Sequence, residues 1–287
     1  MMGQSIQGYL VIEKIKEGSV GPVWRVQNSK HEVFAVKQMS ARNAADPDQV
    51  RRFEKEVALT RKLAPPAILR VYERLDCDPP AFRMQYFDSE NLKYSLWNAP
   101  ERVVGHEFRI LRQVGEALAY LHARGIVHRD VKPENVLVNV RQEARLIDFS
   151  LAQSKMDRLL QFGKRVDGTP LYMAPEQIRG EKCDPRADVY SFGVMTYELL
   201  TRRPPFLGTT QDAILDKHLK EAPPPLRAWV PTLSPDLEAL VLKALAKKRE
   251  ERWPDLATLL YELGKWEKKD TDVRVRQLGP LQPPTKK

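Results

Sequence analysis

Asp130, Lys132 and Asn135 stand close together in the string Val127-His128-Arg129-Asp130-Val131-Lys132-Pro133-Glu134-Asn135-Val136-Leu137, and a second carboxylate, Asp148, follows 18 residues after Asp130 in Leu146-Ile147-Asp148-Phe149-Ser150. An acid, a carboxamide and another acid are oxygen ligands or proton acceptors. They suit Mg²⁺ and phosphate oxygens better than zinc. The first group falls in an irregular stretch after an amphipathic helix, and loops held by rigid elements are where catalytic groups tend to lie. Chance does not explain a His-Arg-Asp-x-Lys-Pro-x-Asn string followed at this spacing by Asp-Phe.

Three earlier features are individually weaker. Gly18 and Gly21, in Ile15-Lys16-Glu17-Gly18-Ser19-Val20-Gly21-Pro22-Val23, would let backbone approach a phosphate chain with no Cβ in the way. A hairpin turn with two glycines explains the same residues as well. Lys37 closes the apolar run Phe34-Ala35-Val36-Lys37, fourteen residues after Val23. It serves equally as a strand-end residue reaching for water. Glu56, in Phe53-Glu54-Lys55-Glu56-Val57, reads by itself as part of a solvated helix face.

The elements that must position these groups change character along the chain. Tyr9 to Ile15, Val23 to Gln27 and Val33 to Met39 read as short strands, the last two joined by an Asn28-Ser29-Lys30 turn. Asp48 to Leu63 reads as a helix, and Ile68 to Leu75 and Ala81 to Tyr86 complete an expected antiparallel sheet of five strands. Beyond Phe87 the pattern is helical. Phe108, Leu111, Val114, Leu118 and Leu121 recur at helical spacing within His106 to Ala123. Val189 to Leu200 is apolar on nearly all sides, which suits a buried helix, and Leu237 to Ala246 and Leu256 to Leu263 are further helices. Strands followed by helices, with a join near residues 85–91, predict two lobes with a cleft between them.

Composition narrows the class. The chain has 287 residues, 42% apolar and 30% charged, which excludes a disordered chain or a disulfide-stapled mini-protein. No apolar run approaches the roughly 18–20 residues needed to cross a bilayer. The start, MMGQSIQGYL, lacks a basic patch followed by an apolar stretch, and Gln7 stands where myristoylation after Gly3 needs Ser or Thr. The expectation is a cytoplasmic protein with no membrane segment. Cys77 and Cys183 are far apart and read as reduced thiols. The formal charge of +9 is scattered, with no aromatic-interleaved basic stripe, so no specific nucleic-acid partner is expected.

From about Tyr9 to Glu262 the chain resembles the eukaryotic-type (Hanks-type) serine/threonine protein kinases, most of all the bacterial members. The family's pieces occur in its order: the Gly-rich loop, Lys37, Glu56, the Asp130 loop and Asp148-Phe149. Gly168-Thr169-Pro170-Leu171-Tyr172-Met173-Ala174-Pro175-Glu176, Asp188 and Arg252 follow. The resemblance implies an α+β, bilobal kinase-like fold over residues 1–265. It has a small antiparallel-sheet N-lobe with one main helix (about 9–86) and a larger, mainly helical C-lobe (about 88–265). Residues 266–287 are then a basic, Pro-rich tail, expected to be disordered.

The resemblance also implies roles. Lys37, paired with Glu56, binds ATP phosphates; Asp148 and Asn135 hold Mg²⁺, with Mn²⁺ as an alternative; Asp130 takes the proton of the attacking hydroxyl. Lys132 lies near the transferred phosphoryl group and, with Thr169, favours Ser/Thr acceptors. Ile15, Gly18, Gly21, Val23, Ala35, Met84, Gln85, Phe87 and Leu137 surround the nucleotide, with backbone hydrogen bonds from Gln85 to Phe87. Glu176 with Arg252 forms a structural ion pair, and Asp188 anchors the catalytic loop. The partners implied are protein substrates with Ser/Thr acceptors, with autophosphorylation and a homodimer through the N-lobe as family traits.

Departures from the family also carry expectations. Lys16 replaces the first loop glycine, and Pro22 removes a donor and stiffens the loop. Ser150 replaces a glycine, and its Cβ restricts positive φ. Thr60, where the family packs an apolar side chain, is a buried hydroxyl that needs a partner or costs roughly 1–3 kcal/mol. These four support an alternative reading as a nucleotide-binding pseudokinase scaffold. Lys37, Glu56, Asp130, Asn135 and Asp148, all present, oppose it. The intact Gly-Thr-Pro…Ala-Pro-Glu segment opposes a small-molecule kinase. Between Leu151 and Gly168 the single hydroxyl residue is Ser154, so no late-loop phosphate switch is expected, and Asp167 or a partner takes its place.

Overall fold

Alternating apolar residues in the first third of the chain build one antiparallel sheet in the computed structural model, which describes residues 3–65, 67–154 and 168–266. Its strands are β1 (Ser5–Ile6), β2 (Tyr9–Glu17), β3 (Pro22–Gln27), β4 (Val33–Gln38), β5 (Val71–Leu75) and β6 (Ala81–Gln85), in the order β1-β2-β3-β4-β6-β5. Asn28 makes the β3–β4 turn by accepting the backbone N–H groups of Lys30 and Glu32, both at 2.9 Å. The sheet has one strand more than the sequence suggests. Two residues are too short for a period to show, and β1 folds back through Gln7 and Gly8, both at positive φ. The strand expected from Ile68 begins only at Val71.

Two helices complete this part: α1 (Ala41–Ala44) and α2 (Pro47–Thr60). Helix α2 starts where the sequence can start it, with Asp46 capping the Asp48 N–H and Pro47 in the first turn. Its buried residues, Phe53, Glu56, Val57 and Thr60, form one stripe. Phe53 and Val57 pack with Met39, Val71 and Phe82, and the Phe53 and Phe82 rings lie 5.1 Å apart. Burying each such side chain stabilises by about 1.5–3 kcal/mol. That packing fixes the rotation of α2 and hence where Glu56 points.

The described residues fall into two compact units: those up to 88 together with 148–150, and 89–147 together with those from 151 on. The second is mainly helical. It carries α3 (Leu92–Asn98), α4 (Glu107–Ala123), α5 (Pro175–Ile178), α6 (Pro185–Thr201), α7 (Gln211–Lys220), α8 (Pro235–Ala244) and α9 (Leu256–Gly264). A small sheet joins β7 (Glu90–Asn91), β8 (Val136–Val138) and β9 (Ala144–Leu146). Every residue of α6 from Ala187 to Thr201 is buried, as its all-round apolarity predicts. Helices α4 and α9 approach so closely at Gly115 that a Cβ there would collide with Leu260.

Helices α3 and α7 are not evident from periodicity; each is short and starts on a side-chain cap, Asn91 and Thr210 respectively. Together the sheet-bearing and helical units make an α+β fold. Among the described residues no helix is long and apolar enough to cross a membrane. The expected tail lies, beyond Trp266, outside the described residues.

Candidate active site

Lys37 and Glu56 meet in the first unit. The Lys37 ammonium donates to both Glu56 carboxylate oxygens at 3.0 Å, and both side chains are largely buried. Burial works against the Lys37 charge, but the Glu56 and Asp148 carboxylates overcome it and raise its pKa. The Thr60 hydroxyl, one turn beyond Glu56, is buried but satisfied: it donates to the Glu56 carbonyl at 2.7 Å. The unmet hydroxyl that sequence reasoning set against α2 does not exist.

The Gly-rich turn between β2 and β3 also has a packing reason for one of its glycines. Gly21 has φ +153°, and a Cβ there would collide with the backbone of Gln38, Met39 and Ser40. Its lack of a side chain is therefore required for packing on the β4–α1 connection. The Ser40 N–H donates to the Val20 carbonyl at 2.9 Å, and the Asn43 amide donates to the Ser19 and Val20 carbonyls at 2.8 Å each. Sequence reasoning missed Asn43. The only available signal was its place three residues after Ser40, whose hydroxyl caps its N–H.

Other expected nucleotide residues are spread across this unit. Val23 and Ala35 are buried, Ile15 is exposed, and Met84 packs on the Phe53–Phe82 cluster. The Gln85 N–H donates to the Arg70 carbonyl at 2.8 Å. It is committed to the protein and cannot serve a base as donor. Phe87 follows just after the end of β6. Asp148 has φ +63°, a conformation few side chains adopt and Asp tolerates better than most. The Ser150 hydroxyl donates to the Asp148 carboxylate at 2.6 Å and its N–H at 3.2 Å. Ser150 itself stays out of positive φ, so the substitution adds a tether rather than strain.

In the second unit Asp130 is gripped from three sides. Lys132 lies 2.7 Å from its carboxylate, the Asn135 amide donates to it at 2.9 Å, and the Thr169 hydroxyl lies 3.3 Å away. Lys132 also donates to Thr169. Asn135 spends its amide N–H groups on the Asp130 carboxylate and carbonyl, which orients its Oδ1 as the atom left for a cation. Leu137, one residue past the start of β8, pairs with Asn91 and Arg145.

The loop carrying Asp130 is pinned from below. Buried Asp188 accepts the backbone N–H groups of His128 and Arg129 at 2.8 Å each, and His122 approaches it at 2.8 Å. Burial alone would raise this carboxyl, but His122 and these donors hold it below its usual range. Arg252 and Glu176 form a bidentate pair at 2.8 Å in the interior. Two networks on the Thr169–Glu176 segment were not legible in the sequence. Tyr172 and Lys93 converge on buried Glu198, and His218 bonds the Leu171 carbonyl at 3.1 Å. Residues 155–167, including the expected phosphate-independent stretch and Asp167, lie outside the described residues.

The protein kinase domain family matches residues 9–260 of the chain. The chain belongs to the protein kinase family. Its relatives include serine/threonine-protein kinase PknB of Mycobacterium tuberculosis, 35% identical over 240 residues, and PknB of Mycolicibacterium smegmatis, 35% over 244. Each alignment covers 81% of this chain and 38% of the relative. Serine/threonine-protein kinase Pkn1 of Myxococcus xanthus is 34% identical over 266 residues, 90% of this chain and 38% of that one. The kinase chain thus spans about two fifths of the length of these curated relatives.

Proposed function

We propose that this chain is an ATP- and Mg²⁺-dependent protein kinase that transfers the γ-phosphoryl group to Ser or Thr hydroxyls of protein substrates and of itself. The observation that carries this reading is the clasp on Asp130. A carboxylate held by Lys132 at 2.7 Å, by Asn135 and by Thr169 is fixed in rotamer, with an ammonium beside it. In transfer, the substrate hydroxyl oxygen bonds to the γ-phosphorus, the bridging oxygen leaves on the diphosphate, and the hydroxyl proton passes to Asp130. Such a base contributes typically ~10²–10⁴ in rate. Lys132 is placed to neutralise charge on the moving phosphoryl group.

Lys37, oriented by Glu56, holds the α- and β-phosphates. Oxygen donors fit a hard cation, and Asp148 and Asn135 are the residues that would hold it. Bound there, Mg²⁺ would offset charge on the phosphates. Thr60 and Ser150, which counted toward a scaffold without transfer, each have a hydrogen-bond partner and disturb neither Glu56 nor Asp148.

The test is γ-phosphate transfer from labelled ATP with Mg²⁺, to the chain and to a generic basic protein, followed by phosphoamino-acid analysis. Label on Ser and Thr, abolished by Asp130→Asn and by Lys37→Met, is the expected result. No label on either acceptor, with ATP still raising the melting temperature, would replace this reading with the scaffold.

A further inference from the structure

Lys16 occupies a position where a nucleotide-binding loop has no need of a side chain. The pairing register shows where that side chain goes. Lys16 pairs with Val23, and Val23 pairs with Lys37, across β2, β3 and β4. Directly paired residues of adjacent antiparallel strands project to the same face, so Lys16 and Lys37 share a face two strands apart, about 10 Å between their Cα atoms. The extra residue that brings Lys16 into this row is Ile15, at the irregularity between Lys14 and Lys16.

The two ammonium groups differ in one respect. Lys37 has Glu56 at 3.0 Å. The Lys16 side chain makes no hydrogen bond or ion pair among the described residues; nearby Lys14 pairs with Glu17 instead. Crowding around its head group and then the charge of Lys37 lower the Lys16 pKa, against the pull of Asp148, although the residue as a whole is exposed. A cation facing another cation without a partner of its own is a site for an anion. Val23 between them is apolar, and the loop ending in Gly18 to Gly21 closes the same end of the sheet.

We propose that Lys16 is a second phosphate-contacting cation, which joins Lys37 on a nucleotide polyphosphate and increases the preference for triphosphate over diphosphate. This rests on reading Lys37 as a nucleotide-phosphate ligand. Lys16 supplies a charge that a glycine at this position cannot, and it stands at the root of the loop, where Pro22 has removed a backbone donor.

The experiment is calorimetric titration of the full chain with ATP and with ADP, each with Mg²⁺, for the parent and for Lys16→Gly, Lys16→Met, Lys16→Arg and Lys37→Met. Lys16→Met and Lys16→Gly are expected to weaken ATP binding about ten-fold and ADP binding less, as loss of a charge-assisted contact would. Lys16→Arg should stay within about two-fold of the parent, because the charge is kept. Methionine keeps the Cβ and most of the length of the side chain, so it separates lost charge from a loosened loop. ATP affinity unchanged in both Lys16→Met and Lys16→Gly, with Lys37→Met still impaired, would overturn the assignment of Lys16 alone. Undiminished ATP binding by Lys37→Met, or no ATP binding by the parent, would remove the reading beneath it and the proposal together.

Discussion

The Ser150 hydroxyl holds the Asp148 carboxylate at 2.6 Å, two residues away along a backbone that turns through positive φ at Asp148. A left-handed conformation costs a non-glycine residue roughly 1–2 kcal/mol, and a hydrogen bond to a charged acceptor contributes about 1.5–3 kcal/mol, so the tether offsets the turn. Serine in place of glycine therefore stabilises one orientation of the carboxylate. Ser150→Ala keeps the Cβ and deletes the tether. Its melting temperature should fall by about 2–4 °C per kcal/mol lost, and half-saturation by Mg²⁺ should move to higher concentration. Identical melting and identical Mg²⁺ dependence would show that the bond carries no weight.

Asn43 clips the loop tip to α1 through two carbonyls, and asparagine is needed because both partners are acceptors. Asn43→Asp is nearly isosteric but points carboxylate oxygens at Ser19 and Val20, so it should disturb the loop more than Asn43→Ala. Amide exchange at Gly18 to Gly21 should quicken in both variants. KM for ATP should rise roughly three- to ten-fold while kcat changes less, as expected when about 0.6–1.4 kcal/mol of loop ordering is lost from binding. Equal exchange in Asn43→Asp and the parent would refute the clip.

Arg252 and Glu176 are both in the interior, and Arg252 also donates to the Ala246, Lys247 and Arg186 carbonyls. Removing one partner strands the other charge away from water, at about 3–5 kcal/mol. Arg252→Met should lower the denaturation midpoint sharply, and Arg252→Met with Glu176→Gln should recover part of the loss because no buried charge is left. Chemical denaturation of the three proteins decides it. A double variant no more stable than Arg252→Met alone would place the cost in the three carbonyls instead.

Legibility followed the length over which a pattern runs. Strands β2, β3 and β4 and helix α4 run long enough for their patterns to read, α6 declares itself by apolarity on all sides, and the Asp130 string carries its chemistry within a few consecutive residues. Strand β1 and helix α1 are too short to show a period. What Asn43, Glu198 and His218 do depends on partners 23, 26 and 47 residues away, and no local pattern encodes such meetings. Gly21 was legible as special, but its reason, a collision with the backbone of residues 38–40, belongs to tertiary packing. For Thr60 the sequence posed the question of a partner, and the helix answered it locally with the Glu56 carbonyl.

His218 links the buried interior to the Leu171 carbonyl, and its tautomer is set by that carbonyl, which can only accept. Nε2 therefore carries the proton, Nδ1 accepts from the Tyr190 hydroxyl at 2.9 Å, and Lys247 reaches Tyr190 at 3.5 Å. Burial, then the Lys247 charge, drive the imidazole down to about 3 from 6.5, while the Leu171 carbonyl pulls the other way. Between those values the unfolded chain binds a proton that the folded chain refuses. Stability from this residue is thus fully present above about pH 6.5 and is lost as pH falls toward 3, at up to roughly 1.4 kcal/mol per pH unit. His218→Gln removes the titration. Denaturation of both proteins at pH 7.5, 6.5 and 5.5 should give a constant difference between the first two and a narrowing one at the third, as the parent loses more than the variant. Parallel losses down to pH 5.5 would mean that His218 takes up its proton in the folded chain, and the hydrogen-bonded chain from Lys247 to Leu171 would have to be redrawn.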